Sequence, residues 1–167
     1  MDSLIKQLLD ILSEEEKIYG ALLELSENKK EALSGEDLGA INEIVKEEQA
    51  LIATVQAREK ARVKCTIAIS QLSPVRNVSL GTISGLIPDN ERGRYDRLCA
   101  SLPQTLSSLH DQNEINRKLL ETRLSYVHFV MDAMDPQSMT GTIYGAQGAT
   151  EEPQIRSAKS NLYDQTV

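Results

Sequence analysis

The two histidines, His110 and His128, are the residues best suited to acid–base chemistry or to binding a transition metal. They lie 18 residues apart in a segment with the periodicity of a helix. That spacing separates them by about 27 Å along a helix axis, whereas a metal ion holds its nitrogen ligands at about 2 Å. We therefore predict no shared metal site and interpret each histidine as an ordinary helix residue.

Other groups that take part in catalysis or metal binding also lack the necessary arrangement. Cys65 and Cys99 stand far apart with no Cys-x-x-Cys pair, which favours two small helix residues over a disulfide or a metal site. The carboxylates of "SEEEK", residues 13–17, fit a solvated helix face. The sequence contains no phosphate-binding glycine loop, dinucleotide fingerprint or HExxH motif. We predict that the protein is not an enzyme and holds no cofactor and no metal.

Two asparagines offer hydrogen-bonding chemistry instead. Asn113 and Asn116 lie one turn apart in the leucine stripe of "HDQNEINRKLLETRLSYV", residues 110–127. Amides inside a helical bundle form a polar layer that costs stability and fixes register, and here they would bond to each other or to Glu48 or Glu15. Alternatively, they line a groove that the chain's own helices leave open, where they would bond to a partner's backbone. The two arrangements are compatible.

The charge of the chain argues against nucleic acids and membranes as partners. With 25 acidic and 18 basic residues and a formal net charge of −7, the chain is repelled by phosphate backbones and anionic lipids. No window approaches the roughly 20 apolar residues that span a bilayer. The start, "MDSLIKQLLDILSEEEK", lacks the pattern of a signal peptide. We predict a cytoplasmic protein that neither binds nucleic acid nor inserts into a membrane.

Two long helices precede the asparagine segment. Apolar residues recur in steps of three and four from Leu4 to Ala32, and a flanking row makes this stripe broad enough to meet two neighbours. A second run with the same spacing extends from Leu38 to Arg62, and no proline or glycine interrupts the chain from Ala40 to Ser73, so this helix can continue to about Leu72. The pattern predicts helices over about 3–33 and 36–72. The short link at Gly35 makes them antiparallel neighbours.

A connector over 73–89, rich in proline, glycine and serine, leads to a third helix over about 90–134. Its "SLGTISGLI" predicts one short helical turn. Within the third helix, Pro103 predicts a kink or a fresh start near Ser101. The stripe expected to face the core comprises Tyr95, Leu98, Leu102, Leu106, Leu109, Asn113, Asn116, Leu120, Leu124, Val127, Met131 and Met134.

The remaining residues, 135–167, are poor in aliphatic side chains and rich in Gly, Ser, Thr and Gln. Such a segment buries too little apolar surface to offset its ordering entropy. The sequence therefore predicts an all-α fold, an elongated antiparallel three-helix bundle or coiled coil over 1–134. A short connector helix and a flexible C-terminal tail over 135–167 complete the predicted organisation.

In their order along the chain, these features resemble the FlgN family of flagellar export chaperones. The resemblance rests on "IYGALLEL", "ENKKEAL", "EDLGAINEIVKEEQALI", "SLGTISGLI", "LHDQNEINRKLLETRL", "TIYGAQG" and "SNLYDQTV". It covers nearly the whole chain. Its most specific part is the run Asn-x-x-Asn-x-x-Leu-Leu followed by Tyr-Gly-x-x-Gly.

The resemblance implies a cytoplasmic chaperone of flagellar type III export. Its clients would be the hook-associated proteins FlgK and FlgL of the hook–filament junction. It would bind their helical terminal segments, block premature assembly and deliver them to components of the export apparatus. The resemblance places the client site on the second half of the third helix and the start of the tail. The residues expected there are Asn113, Asn116, Leu119, Leu120, Leu124, Val127, Met131, Ile143 and Tyr144.

The adjacent leucines of that site, Leu119 and Leu120, cannot both face one core, so one of them is a candidate for an apolar contact outside the chain. The residues alone leave a second function open. The broad stripe of the first helix would equally suit a structural coiled-coil adaptor that acts by self-association.

Overall fold

Three long helices make up most of the described chain. A computed structural model describes residues 1–73 and 78–134. Its elements are α1 (Asp2–Ser34), α2 (Leu38–Leu72), two 3-10 turns (Ser84–Leu86 and Asp89–Glu91) and α3 (Arg92–Met134). No strand occurs among these residues, so the predicted all-α class is confirmed. Within the same ranges, no helix is apolar enough over sufficient length to cross a membrane.

The chain divides into two compact units, Met1–His128 and Phe129–Val167. The first contains α1, α2, the connector and most of α3. The described part of the second is the end of α3, where Phe129, Met131 and Met134 are exposed. The predicted tail over 135–167 lies outside the described residues, so the predicted division into a bundle and a tail stays a prediction.

Polar contacts establish the direction of each helix in the first unit. Near the start of α1, the Leu4 carbonyl accepts a hydrogen bond from Cys65 Sγ at 3.3 Å. Near its end, Lys29 Nζ lies 2.6 Å from Glu48 Oε2. The order along α2 is therefore reversed, and the two helices are antiparallel. By contrast, α3 runs parallel to α1, because Asp10 pairs with Arg94 and Ser26 with Asn116.

The link between α1 and α2 closes α1 with paired backbone hydrogen bonds. The Asp37 amide donates to the Ala32 carbonyl at 3.0 Å, and the Glu36 amide donates to the Leu33 carbonyl at 3.4 Å. This is the Schellman pattern, in which the residue after the cap adopts a left-handed conformation that favours glycine. Gly35 has an ordinary right-handed conformation, and Glu36 occupies the left-handed position with φ of 59°.

Replacing Glu36 by glycine is expected to stabilise the first unit. A side chain in the left-handed region costs about 1 kcal/mol relative to glycine. Glu36 also pairs with Arg123, so Glu36→Gln, which removes the charge and keeps the side chain, is the matched control. In urea unfolding, Glu36→Gly should exceed Glu36→Gln in stability by about 1 kcal/mol. Equal stabilities would contradict a strained backbone at this residue.

The apolar core lies at the end of the bundle that carries the connector. It joins one end of each helix to the connector. Its buried members are Ile5, Leu8, Leu9, Ile11, Leu12, Cys65, Ile69, Ile83, Ile87, Tyr95, Leu98 and Leu102. The Tyr95 hydroxyl donates to the Leu80 carbonyl at 2.6 Å and so anchors the connector to α3. The predicted turn in "SLGTISGLI" is present as the 3-10 turn Ser84–Leu86.

The row of α3 side chains that turn toward the inside of the bundle, which we call the seam of α3, differs from the predicted stripe after Leu102. The side chains that turn inward are then Thr105, Leu109, Gln112, Asn116, Leu119 and Arg123, which keep a strict seven-residue repeat with Tyr95, Leu98 and Leu102. The prediction was wrong for the members of the stripe that are exposed, namely Leu106, Asn113, Leu120, Leu124, Val127, Met131 and Met134. The repeat admits polar residues to the seam, and the neighbouring leucines lie on its flank. The helix also continues through Pro103, so the alternative of a fresh start near Ser101 was wrong.

Candidate partner-binding surface

Both asparagines of α3 bond to one serine of α1. Asn116, only 5% exposed, donates from Nδ2 to the Ser26 carbonyl at 2.7 Å and to Ser26 Oγ at 3.0 Å. The Ser26 hydroxyl in turn donates to Asn113 Oδ1 at 2.8 Å. The structure thus contains the polar layer, one of the two alternatives drawn from the sequence, and its partner on α1 is Ser26.

The glutamates expected in that layer have other partners, so the prediction that Glu15 or Glu48 bonds to the asparagines was wrong. Glu15 Oε1 lies 3.2 Å from Arg62 Nε, and Glu48 binds Lys29. The sequence contains one sign of the observed contact: Ser26 follows Leu22 by four residues, a spacing that places both on one side of α1. Its small hydroxyl lets α3 approach, and it both donates and accepts.

The layer leaves two buried polar atoms, Gln112 Nε2 and Asn116 Oδ1, without a hydrogen-bond partner in the described part of the chain. Such atoms lose hydration without full compensation.

Asn116→Ala is expected to lower the free energy of unfolding by about 1–2 kcal/mol, because the substitution removes both hydrogen bonds to Ser26. The double variant Ser26→Ala/Asn116→Leu should recover this loss in urea unfolding, since both polar partners are replaced by apolar groups. A double variant less stable than Asn116→Ala would show that the layer stabilises the bundle.

A second polar pair crosses from α1 to α2 nearer the core. Glu15 is 3% exposed, and burial raises the pKa of its carboxyl group, an effect that the charge and hydrogen bond of Arg62 partly offset. The pKa of Glu15 is therefore higher in the folded protein than in the unfolded chain. In that case the protonated carboxyl group stabilises the fold, and this contribution is complete at pH values below the unfolded-state pKa. That contribution is lost as the pH rises through the folded pKa.

Glu15→Gln should therefore be more stable than the wild type at pH 7.5, since the amide needs no ionisation and still accepts from Arg62. The difference in the free energy of unfolding between the two proteins should decrease as the pH falls toward 4.5, the ordinary pKa of glutamate. Urea unfolding of both proteins from pH 4 to pH 8 measures it. A difference that stays constant over this range would contradict the raised pKa.

Beyond the layer, three apolar side chains of α3 form an open row, which we call the α3 outer row. Leu120, Leu124 and Val127 are 48, 51 and 50% exposed. Steps of four and three place them on one face of the helix. At Arg123, α3 reaches the end of the α1–α2 hairpin, since Arg123 Nη2 donates to the Ser34 carbonyl at 3.1 Å. Leu124 and Val127 come after Arg123 along the helix.

An ionic row borders the α3 outer row. Arg117 binds Glu114 at 2.9 Å and Glu121 at 2.6 Å on the same helix. The hydrogen bond and charge of Arg117 lower the pKa of Glu114. Arg117 thus pairs with glutamates about one turn before it and one turn after it, so these charges have partners on the helix itself and leave the adjacent apolar row available for apolar contact.

The predicted site residues therefore fall into five groups. Asn113 and Asn116 belong to the polar layer, and Leu119 is half-buried in the seam. Leu120, Leu124 and Val127 form the α3 outer row. Met131 is exposed in the second unit. Ile143 and Tyr144 lie outside the described residues. Of the adjacent leucines, Leu120 is thus the exposed one.

Comparison with known proteins identifies the family. The sequence profile of the family described as FlgN protein matches residues 1–152. Among curated proteins, the chain is 30% identical over 149 residues to the uncharacterized protein YvyG of Bacillus subtilis (strain 168), covering 88% of this chain and 89% of that protein. No solved structure matches.

The profile spans all three helices and the polar layer. The chain therefore belongs to the FlgN family of flagellar export chaperones.

Proposed function

We propose that this chaperone binds helical terminal segments of the hook-associated proteins FlgK and FlgL in the cytoplasm. Binding would prevent their premature assembly, and the complex would be delivered to the flagellar type III export apparatus. The observation that carries the proposal is the α3 outer row of Leu120, Leu124 and Val127, which the chain's own helices leave half exposed.

The spacing of the row supports a helical client. Anchors at positions i, i+4 and i+7 are those that an amphipathic helix meets when it lies along another helix. A client helix placed there would extend the bundle past the end of the α1–α2 hairpin. Its terminal segment, once covered, would not be free to pair with other subunits.

The energy available from the row supports reversible binding. Covering the exposed half of each side chain contributes about 1 kcal/mol, and ordering of the client opposes this gain. The row alone therefore gives weak binding. We propose that Met131, Ile143 and Tyr144 add further apolar contact, and methionine suits an interface that accepts more than one sequence.

The polar layer has a supporting role in this proposal. Asn116 is buried and bonded to Ser26, so it holds the register of α3 against α1. Asn113 is exposed, and its amide nitrogen is the group that would meet a client carbonyl. Leu119 packs in the seam and sets the position of Leu120.

Titration calorimetry and circular dichroism with purified terminal segments of FlgK and FlgL test the proposal. We expect a complex of one chaperone and one segment, with a gain in helix content over the sum of the separate components. No heat of binding and no gain in helix content would contradict it. Sedimentation at several concentrations tests the adaptor alternative, which requires a stable self-associated state that takes up no client.

A further inference from the structure

A second set of exposed apolar side chains lies on α2. Ile52, Val63 and Ile67 are 47, 46 and 52% exposed. Separations of eleven and four residues place them on one side of the helix. Cys65 and Ile69, the buried residues of α2, lie on the opposite side. The packing of the first unit therefore does not account for these three side chains.

Two lysines accompany this apolar set. Lys60 and Lys64 are exposed, and neither forms an ion pair with any residue in 1–73 or 78–134. The neighbouring arginines are engaged, since Arg58 binds Glu14 and Arg62 binds Glu15 and Glu59. Two cations without counter-charges therefore stand beside apolar side chains, in a chain whose net charge is −7.

We propose that this surface, the α2 outer face of Ile52, Lys60, Val63, Lys64 and Ile67, docks an amphipathic helix of a partner protein. The apolar side of that helix would cover Val63 and Ile67, and its bordering aspartates or glutamates would pair with Lys60 and Lys64. Charge complementarity selects such a partner over a neutral or basic one. The proposal does not depend on the client site, because it uses a different helix and different residues.

Two other occupants fit the surface less well. In a two-fold pairing of two copies centred on this face, Lys60 and Lys64 would lie against the same lysines of the second copy, and like charges repel. An anionic membrane would meet a protein of strongly negative net charge. Only two lysines would attract it, fewer than the roughly four to eight of a typical lipid-binding cluster.

The test uses the full chain and two synthetic helical peptides with the same leucine face, one bordered by glutamates and the other by lysines. We expect the wild type to bind the glutamate peptide at least tenfold more tightly at low salt, and added salt to narrow this difference. Lys60→Glu/Lys64→Glu should reverse the preference. Val63→Ser/Ile67→Ser should weaken binding of the glutamate peptide at least tenfold.

The matched control is Lys17→Glu/Lys30→Glu, which makes the same change in net charge at exposed positions of α1. It should keep the wild-type preference. Equal affinity for the two peptides, or an equal loss in the control, would overturn the proposal. So would comparable binding to phosphatidylglycerol vesicles, or self-association that Lys60→Glu/Lys64→Glu alters.

Discussion

Leu120→Asp/Leu124→Asp is expected to lower the affinity for FlgK and FlgL terminal segments at least about 100-fold, which corresponds to about 2.7 kcal/mol. Each carboxylate would be covered by the client's apolar side without a partner charge, and that desolvation is costly. In the free chaperone both leucines are about half exposed, so both carboxylates stay hydrated. The free energy of unfolding should therefore fall by no more than about 1 kcal/mol.

Leu72→Asp is the control for this double variant. Leu72 is an exposed leucine at the end of α2, away from the α3 outer row along the bundle. It should leave client affinity within about twofold of the wild type. Calorimetry gives the affinities, and circular dichroism reports the fold. Unchanged affinity in the double variant would exclude the row as the client site, and an unfolded double variant would show that the row is buried.

Leu98→Ala is expected to lower the free energy of unfolding by about 3 kcal/mol, because it removes a fully buried side chain and leaves a cavity. Leu98 is 0% exposed and belongs to the cluster that joins all three helices and the connector. Among the described residues, Leu98 is one of five apolar side chains that are less than 2% exposed, with Ile5, Leu9, Ile69 and Ile83.

Leu106→Ala is the paired measurement, since Leu106 lies on the same helix and is 43% exposed. It should cost less than about 1 kcal/mol. Urea unfolding followed by circular dichroism gives both values. Similar losses in the two variants would show that the core extends farther along α3 than the burial of its side chains indicates.

The first two helices could be predicted closely from sequence because their information is local. Steps of three and four in "MDSLIKQLLDIL" place the apolar residues on one face whatever that face meets. Ile5, Leu8, Leu9 and Leu12 are indeed buried.

The residue with the left-handed backbone conformation, in the link between α1 and α2, could not be predicted from such a local pattern. Gly35 was the natural candidate, but the backbone bonds from residues 36 and 37 place that conformation at Glu36.

The buried face of the third helix was harder to predict, because its apolar residues form two neighbouring rows and either row could face the core. Counting apolar residues favoured the row with Leu106, Leu120 and Leu124. The structure turns Thr105, Gln112 and Leu119 inward instead. A regular seven-residue repeat from the well-packed start of α3 outweighs the gain from a few leucines farther along.

The all-α class, the order of the helices and membership of the FlgN family could be predicted from the amino-acid sequence. Each depends on residue types within a few turns of one another or on their order along the chain. Two features became evident only in the folded chain: Ser26 bonds to the asparagines, and Leu120 rather than Leu119 is exposed. Ser26 lies 87 residues from Asn113 and 90 from Asn116. Such a contact depends on the register between the helices. All side chains of the interface establish that register together, so it cannot be predicted from a local sequence pattern.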